Sequence, residues 1–128
     1  MTSIGRGCFG ATKINNITIP ESLTDIGMAF CDCSYLTDVT IPSSVTILKE
    51  RAFQNCTNLQ SVTIPASVER IERWVFSKCS SLVNITFCGT KEQWTAIDKY
   101  SQWCKPVGND NEKIPATKVI CSDGEIDL

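Results

Sequence analysis

Leu36-Thr37-Asp38-Val39-Thr40-Ile41-Pro42-Ser43-Ser44-Val45 is answered further along the chain by Leu59-Gln60-Ser61-Val62-Thr63-Ile64-Pro65-Ala66-Ser67-Val68. The step from one to the other also links Phe30, Phe53 and Phe76, then Cys33, Cys56 and Cys79, then Leu36, Leu59 and Leu82. Val39-Thr40, Val62-Thr63 and Ile85-Thr86 keep it too. From Ile19-Pro20 to Ile41-Pro42 the step is one shorter, because the earlier copy lacks one residue between Ile26 and Phe30. A truncated copy opens the chain with Ile4, Phe9, Ile14, Ile17, Thr18 and Ile19. Self-similarity at a fixed period of this size marks a repeat architecture.

Each copy has too few apolar residues to bury a face alone, so copies must stack and share a core. Leu36-x-x-Val39-x-Ile41 reads as one short strand entered from a turn. Two-residue alternation sends Val39 and Ile41 inward and Asp38 and Thr40 outward. Pro42 has no N–H to give a ladder and ends the strand. Residues 44–53 then cross the back of the coil, with Val45, Leu48, Ala52 and Phe53 toward the interior. Strands of successive coils should lie parallel, roughly 4.8 Å apart.

The pattern L-x-x-V-T-I-P-x-S-V-x-x-I-x-x-x-A-F-x-x-C, as it stands from Leu36 to Cys56 and again from Leu59 to Cys79, resembles the BspA-like leucine-rich repeat. The resemblance covers residues 4 to about 87. Val75 replaces the small residue expected before Phe76, and Ala11 or Thr12 stands where the first copy's cysteine would fall. The resemblance implies a bacterial secreted or cell-surface protein used for adhesion and binding rather than catalysis.

Past Phe87 the identities stop. Thr90-Lys91-Glu92-Gln93 has the form of a capping box, which predicts a helix over 91–100 with Trp94 and Ile97 on one face. Lys118-Val119-Ile120-Cys121 and Glu125-Ile126-Asp127-Leu128 flank Ser122-Asp123-Gly124, a hairpin signal. Trp94, Trp103 and Val119 are expected to seal the open end of the last coil. The run Phe87-Cys88-Gly89-Thr90, Gln93-Trp94 and Cys121-Ser122-Asp123-Gly124 also looks like the tail that ends many BspA-like chains. At the other end Met1 to Phe9 begins in mid-repeat, which predicts either a fragment of a longer array, with end-to-end self-association through the uncapped coil, or an open end buried by another chain.

Composition narrows the chemistry. The 128 residues carry 12 Lys plus Arg against 14 Asp plus Glu, a net charge of -2, so a nucleic-acid partner is not expected. No apolar run is long enough for a membrane span. Histidine is absent, which removes Ser-His-Asp and Cys-His mechanisms and His-ligated metals. Of eight cysteines, Cys33, Cys56 and Cys79 are ladder positions and read as small buried apolar side chains. A zinc site from Cys31, Cys33 and Cys56 or Cys88 lacks any C-x-x-C pair. Disulfides among Cys88, Cys104 and Cys121 stay open to an export route. Asp25, Asp38, Glu50, Glu69 and Glu72 fall at different repeat positions, so stacking does not pair them as acid and base. The sequons at Asn16, Asn55 and Asn84 follow from the repeat itself. Tyr35, Trp74 and Tyr100 are candidate aromatic anchors.

The expected fold is therefore a leucine-rich-repeat solenoid: a short right-handed superhelix of parallel strands, with about three and a half coils over residues 1–87 and a small α+β C-terminal cap over 88–128. The expected function is non-enzymatic protein binding or adhesion at a cell surface or outside the cell, with no cofactor and no metal. The ligand, a host surface or matrix protein for example, would lie on the exposed strand face formed by Asn16, Thr18, Asp38, Thr40, Ser61, Thr63, Asn84 and Thr86. Two alternatives are a structural spacer within a larger surface protein and a hydrolase using tail carboxylates such as Asp98, Asp110 and Glu112.

Overall fold

The structure, a computed structural model, describes Phe30, Cys33, residues 35–99, Trp103 and residues 114–127, together with the backbone of 16–18 and 25–26. The N-terminal residues 1–15, which carry the truncated copy and the expected self-association surface, lie outside the described residues, as do Cys31, Tyr100, Cys104, Asp110 and Glu112.

Each coil contributes one strand to a main sheet. These strands are β1 (Asn16–Thr18), β3 (Asp38–Thr40), β5 (Ser61–Ile64) and β7 (Asn84–Phe87). They pair in parallel, with Val39 opposite Ile17, Val62 opposite Val39 and Ile85 opposite Val62. Ladder partners are thus repeat equivalents, which is what a fixed period of parallel coils demands. Val39, Ile41, Val62, Ile64, Ile85 and Phe87 are buried, as alternation predicts.

The back of the coil holds a second parallel sheet that the sequence did not announce. Its strands are very short: β2 (Asp25–Ile26), β4 (Ile47–Leu48) and β6 (Arg70–Ile71). Leu48 and Ile71 point inward and are fully buried. Between the sheets, Phe-x-x-Cys-x-x-Leu folds as two successive three-residue turns. Cys56 N–H donates to the Phe53 carbonyl at 3.3 Å and Leu59 N–H to the Cys56 carbonyl at 3.1 Å. A three-residue turn brings every third side chain back to one face, which explains the spacing and why all three are buried.

At the corner before each Phe the backbone is left-handed at Arg51 and Trp74, and after it at Asn55 and Lys78, with φ between 61° and 63°. These pairs are repeat equivalents without a glycine among them, so the coil geometry, not local preference, imposes the conformation. Inter-coil bonds hold this third side: Phe53 N–H to the Val75 carbonyl at 2.9 Å and Asn55 N–H to the Ser77 carbonyl at 2.8 Å.

The interior is a set of ladders. Phe30 stacks on Phe53 at 5.3 Å and 12°, and Phe53 on Phe76 at 5.6 Å and 10°. The cysteine ladder is more than apolar filling. Cys56 Sγ donates to the Phe30 carbonyl at 3.0 Å and Cys79 Sγ to the Phe53 carbonyl at 3.1 Å. Each thiol is a second donor to a carbonyl one coil back, which also accepts from the N–H of the cysteine in its own coil.

The tail keeps the path of the repeat after losing its identities. The predicted helix forms as α1 (Lys91–Ala96) behind Thr90, with both capping-box bonds present. It is shorter than expected. Asp98–Lys99 leave it as β8 and pair with Arg70 and Ile71, joining the second sheet. In that sheet Ile47 and Arg70 are one repeat apart, whereas the step from Arg70 to Asp98 is longer by five. The added length accommodates the helical turn. Trp103 then takes the next place in the aromatic stack, edge-on to Phe76 at 6.1 Å, its carbonyl accepting from Phe76 N–H. Trp94 packs between Trp103 and Phe87 at 5.5 and 5.3 Å, and these rings share the buried core with Val119.

The hairpin is β9 (Lys118–Cys121) and β10 (Gly124–Asp127). Strand β9 adds in parallel to β7, and β10 runs antiparallel to β9, so the main sheet has the order β1-β3-β5-β7-β9-β10. Asp123 in the turn accepts from Lys91 N–H at 2.8 Å, and Ser122 N–H donates to the Gly89 carbonyl at 2.9 Å. The hairpin is thereby tied to the start of α1.

Candidate binding surface

Because the strand register follows the repeat, outward side chains line up in two rows. One row contains Asp38, Ser61 and Asn84, and the other Thr40, Thr63 and Thr86. Asp38, Thr40, Asn84 and Thr86 are exposed, while Ser61 and Thr63 are half-buried between their neighbours. Asn16 and Thr18 stand in register with Asp38 and Thr40 on β1, but their side chains lie outside the described residues. Within the first row Asn84 Nδ2 donates to Ser61 Oγ at 3.4 Å, and beside it Thr37 donates to Asp38 at 3.3 Å. The result is a strip of short hydroxyl, amide and carboxylate groups in register on one sheet.

The sequence reading missed how far this strip extends. Thr86 pairs with Ile120 on β9, and Ile120 with Glu125 on β10. Ile120 is 42% exposed, an apolar side chain at the end of the threonine row. Lys118 pairs with Asp127 and bonds Glu125 at 3.0 Å. That bond, then the charges of Glu125 and Asp127, hold the Lys118 ammonium above the usual lysine range. The alternating pattern of β9 was readable, but not the strand beside which it would lie.

Among the described residues, other candidate carboxylates make contacts between coils. Glu72 accepts from the Glu50 backbone N–H at 3.1 Å, and Asp98 accepts from Arg70 at 3.3 Å, so these carboxylates serve neighbouring coils. Cys33, Cys56, Cys79, Cys88 and Cys121 are not in disulfides. Cys121 faces the core, where burial and the nearby Asp123 push its thiol up, away from thiolate chemistry. Cys88 takes the repeat position of Pro42 and Pro65. Unlike them it has an N–H, which bonds the Ile64 carbonyl at 2.9 Å and prolongs the ladder. Among the described residues no group of three or more His, Cys, Asp or Glu could hold a metal ion.

Of the aromatic candidates, Tyr35 is 47% exposed. Trp74 is half-buried, with the Arg51 guanidinium 4.8 Å and the Arg73 guanidinium 5.6 Å from its ring centre. Lys99 is occupied differently, donating to the Trp94 and Ile97 carbonyls at 2.7 and 3.2 Å and so closing the end of α1. Burial lowers its pKa, with Asp98 acting in the opposite sense. No helix among the described residues is long and apolar enough to cross a membrane.

A family model for the BspA type leucine rich repeat region matches residues 2–102 in six copies. This chain belongs to the BspA-type leucine-rich repeat family. The match runs through β8 to the edge of Trp103, in keeping with a repeat path that outlasts the repeated identities. Among solved structures, a leucine rich cell surface protein from Faecalibacterium prausnitzii matches with a TM-score of 0.72 and 33% identity. The match covers 78% of this BspA-type chain and 27% of that one, so the chain spans about a quarter of the length of its structural relative. Among curated proteins, none matches this chain.

Proposed function

We propose that this BspA-type chain is a non-catalytic protein-binding module of a secreted or cell-surface bacterial protein, acting in adhesion. Its ligand lies across the strand face and is contacted by Asn16, Thr18, Asp38, Thr40, Ser61, Thr63, Asn84 and Thr86. About three and a half right-handed coils over residues 1–87 present that face, and residues 88–128 cap them. The observation that carries this reading is the register. Polar side chains of equivalent positions are aligned in rows on one sheet, which suits recognition by shape and hydrogen bonding with little movement. The surface location is supported by the structural relative, a leucine rich cell surface protein.

The test is a binding assay of the purified chain against immobilised host matrix proteins, with the double variant Thr40→Lys/Thr63→Lys alongside. The variant should lose binding and keep its circular dichroism spectrum, because both hydroxyls stand at the solvent face of the sheet. Binding retained by the variant would move the ligand to another surface. No binding by either protein would favour the spacer role.

A further inference from the structure

The added length of the tail places α1 alongside the turn after Pro65, and the two do not close on each other. A groove of about 220 Å³ lies between them, lined by Ala66, Val68, Glu69, Gln93, Ala96 and Ile97. Val68 and Ile97 are buried and make an apolar floor, with Ala66 and Ala96 as exposed walls. That volume is below the range of cofactor or small-molecule sites and is nearer to the scale of one long side chain.

Two polar groups stand at the groove. The Glu69 backbone is anchored on both sides, its N–H to the Thr46 carbonyl at 2.7 Å and its carbonyl to Asp98 N–H at 3.1 Å. Its carboxylate has no hydrogen-bond or ion-pair partner among the described residues. The neighbouring cations are engaged elsewhere, Arg70 by Asp98 and Lys99 by the carbonyls of α1. Gln93 Oε1 accepts from Thr90 N–H at 2.8 Å, which fixes the amide and leaves Nε2 as an oriented donor without a partner among the described residues.

We propose that this groove receives the side chain of a lysine or arginine from a protein partner. The aliphatic stem lies over Val68, Ala96 and Ile97, the cationic head meets Glu69, and Gln93 Nε2 donates to the partner's peptide carbonyl. An apolar trough ending in an unneutralised carboxylate matches a side chain that is apolar along its stem and charged at its tip. The groove flanks the second sheet, away from the strand face, so it stands independently of the reading above.

The test uses amide-capped lysine, arginine and norleucine as probes, titrated into the isotope-labelled chain and followed by NMR. Lysine and arginine should shift the Ala66, Glu69 and Ala96 backbone signals and the Gln93 side-chain amide saturably, with Kd on the order of 1–10 mM. Norleucine, which has the stem without the charge, should bind about tenfold more weakly. Glu69→Gln should remove that difference, and Ala96→Leu, which fills the groove from an exposed helical position, should abolish binding of all three probes. Equal binding of lysine and norleucine, an unaltered lysine affinity in Glu69→Gln, or no saturable shift with any probe would overturn the proposal. Thermal melts of both variants serve as the folding control.

Discussion

The thiol of Cys79 donates a hydrogen bond to the carbonyl of Phe53, one coil back, at 3.1 Å. Cys56 does the same to Phe30 at 3.0 Å, so the contact repeats with the coil. The ladder cysteine is therefore the polar member of an otherwise apolar stack. It adds a second donor to the carbonyl of a stacked phenylalanine one coil back. Retention of a thiol at this position needs no redox or metal chemistry.

This separates two readings of Cys79. If burial alone mattered, Cys79→Ala would be milder than Cys79→Ser, because serine brings a more polar group into the core. With the hydrogen bond in control the order reverses. Cys79→Ala should cost about 1–2 kcal/mol, from a lost hydrogen bond to a carbonyl that keeps its Cys56 N–H donor together with a small void, and Cys79→Ser less. Urea denaturation of the two variants checks the order.

The hairpin and α1 hold each other through Asp123. Its carboxylate accepts from the first N–H of the helix, a group with no partner inside the helix. Asp123→Ala should cost about 1 kcal/mol. The loss should be local, with amide exchange in 118–127 rising while 59–87 stays protected. Uniform loosening of the whole chain would mean that the tail and the coils melt as one unit.

Lys118 offers a check on the strand face by titration. Its bond to Glu125 raises its pKa, so the folded state holds the proton more tightly than the unfolded chain does. The associated stability is fully present below the ordinary lysine range and is lost as pH climbs through the raised value. Glu125→Gln should bring the Lys118 pKa down toward the ordinary range, read from side-chain NMR, with little change in melting temperature at neutral pH because the pair is exposed.

What was legible in the sequence was whatever the repeat wrote three times. Phe, Cys, Leu and the inward Val or Ile of each strand recur at one spacing, and the structure buries all of them from Phe30 onward. The outward rows followed from alternation. Less was legible where one physical role is filled by unlike residues. Asp98 and Lys99 share no identity with Arg70 and Ile71, and the lengthened step hides their equivalence, so the second sheet's last strand read as helix. The hairpin was readable from its own turn, but its place beside β7 depends on a pairing between distant parts of the chain, Ile85 with Val119. That placement brought Lys118, Ile120 and Glu125 onto the candidate surface without local warning. The left-handed corner residues Arg51, Asn55, Trp74 and Lys78 gave no glycine signal either.

Gly89 concentrates the tail's dependence on close packing. It is buried, and a Cβ there would meet Gln93 Oε1 and stand 2.7 Å from Phe87 Cε2. The Gln93 side chain is flexible and would move, giving up its capping bond to Thr90 N–H. The Phe87 ring cannot move as cheaply. It is 1% exposed and packs edge-on against Trp94, which in turn abuts Trp103. Gly89→Ala should therefore lose the capping box and strain the aromatic packing together, costing roughly 2–4 kcal/mol. Gln93→Ala removes only the first effect and should cost about 1 kcal/mol. The difference between the two variants in chemical denaturation, with tryptophan fluorescence as the probe, measures the aromatic contact alone. Equal losses would mean that the ring yields freely and that the end of the solenoid is held by the helix cap rather than by the packing of Phe87, Trp94 and Trp103.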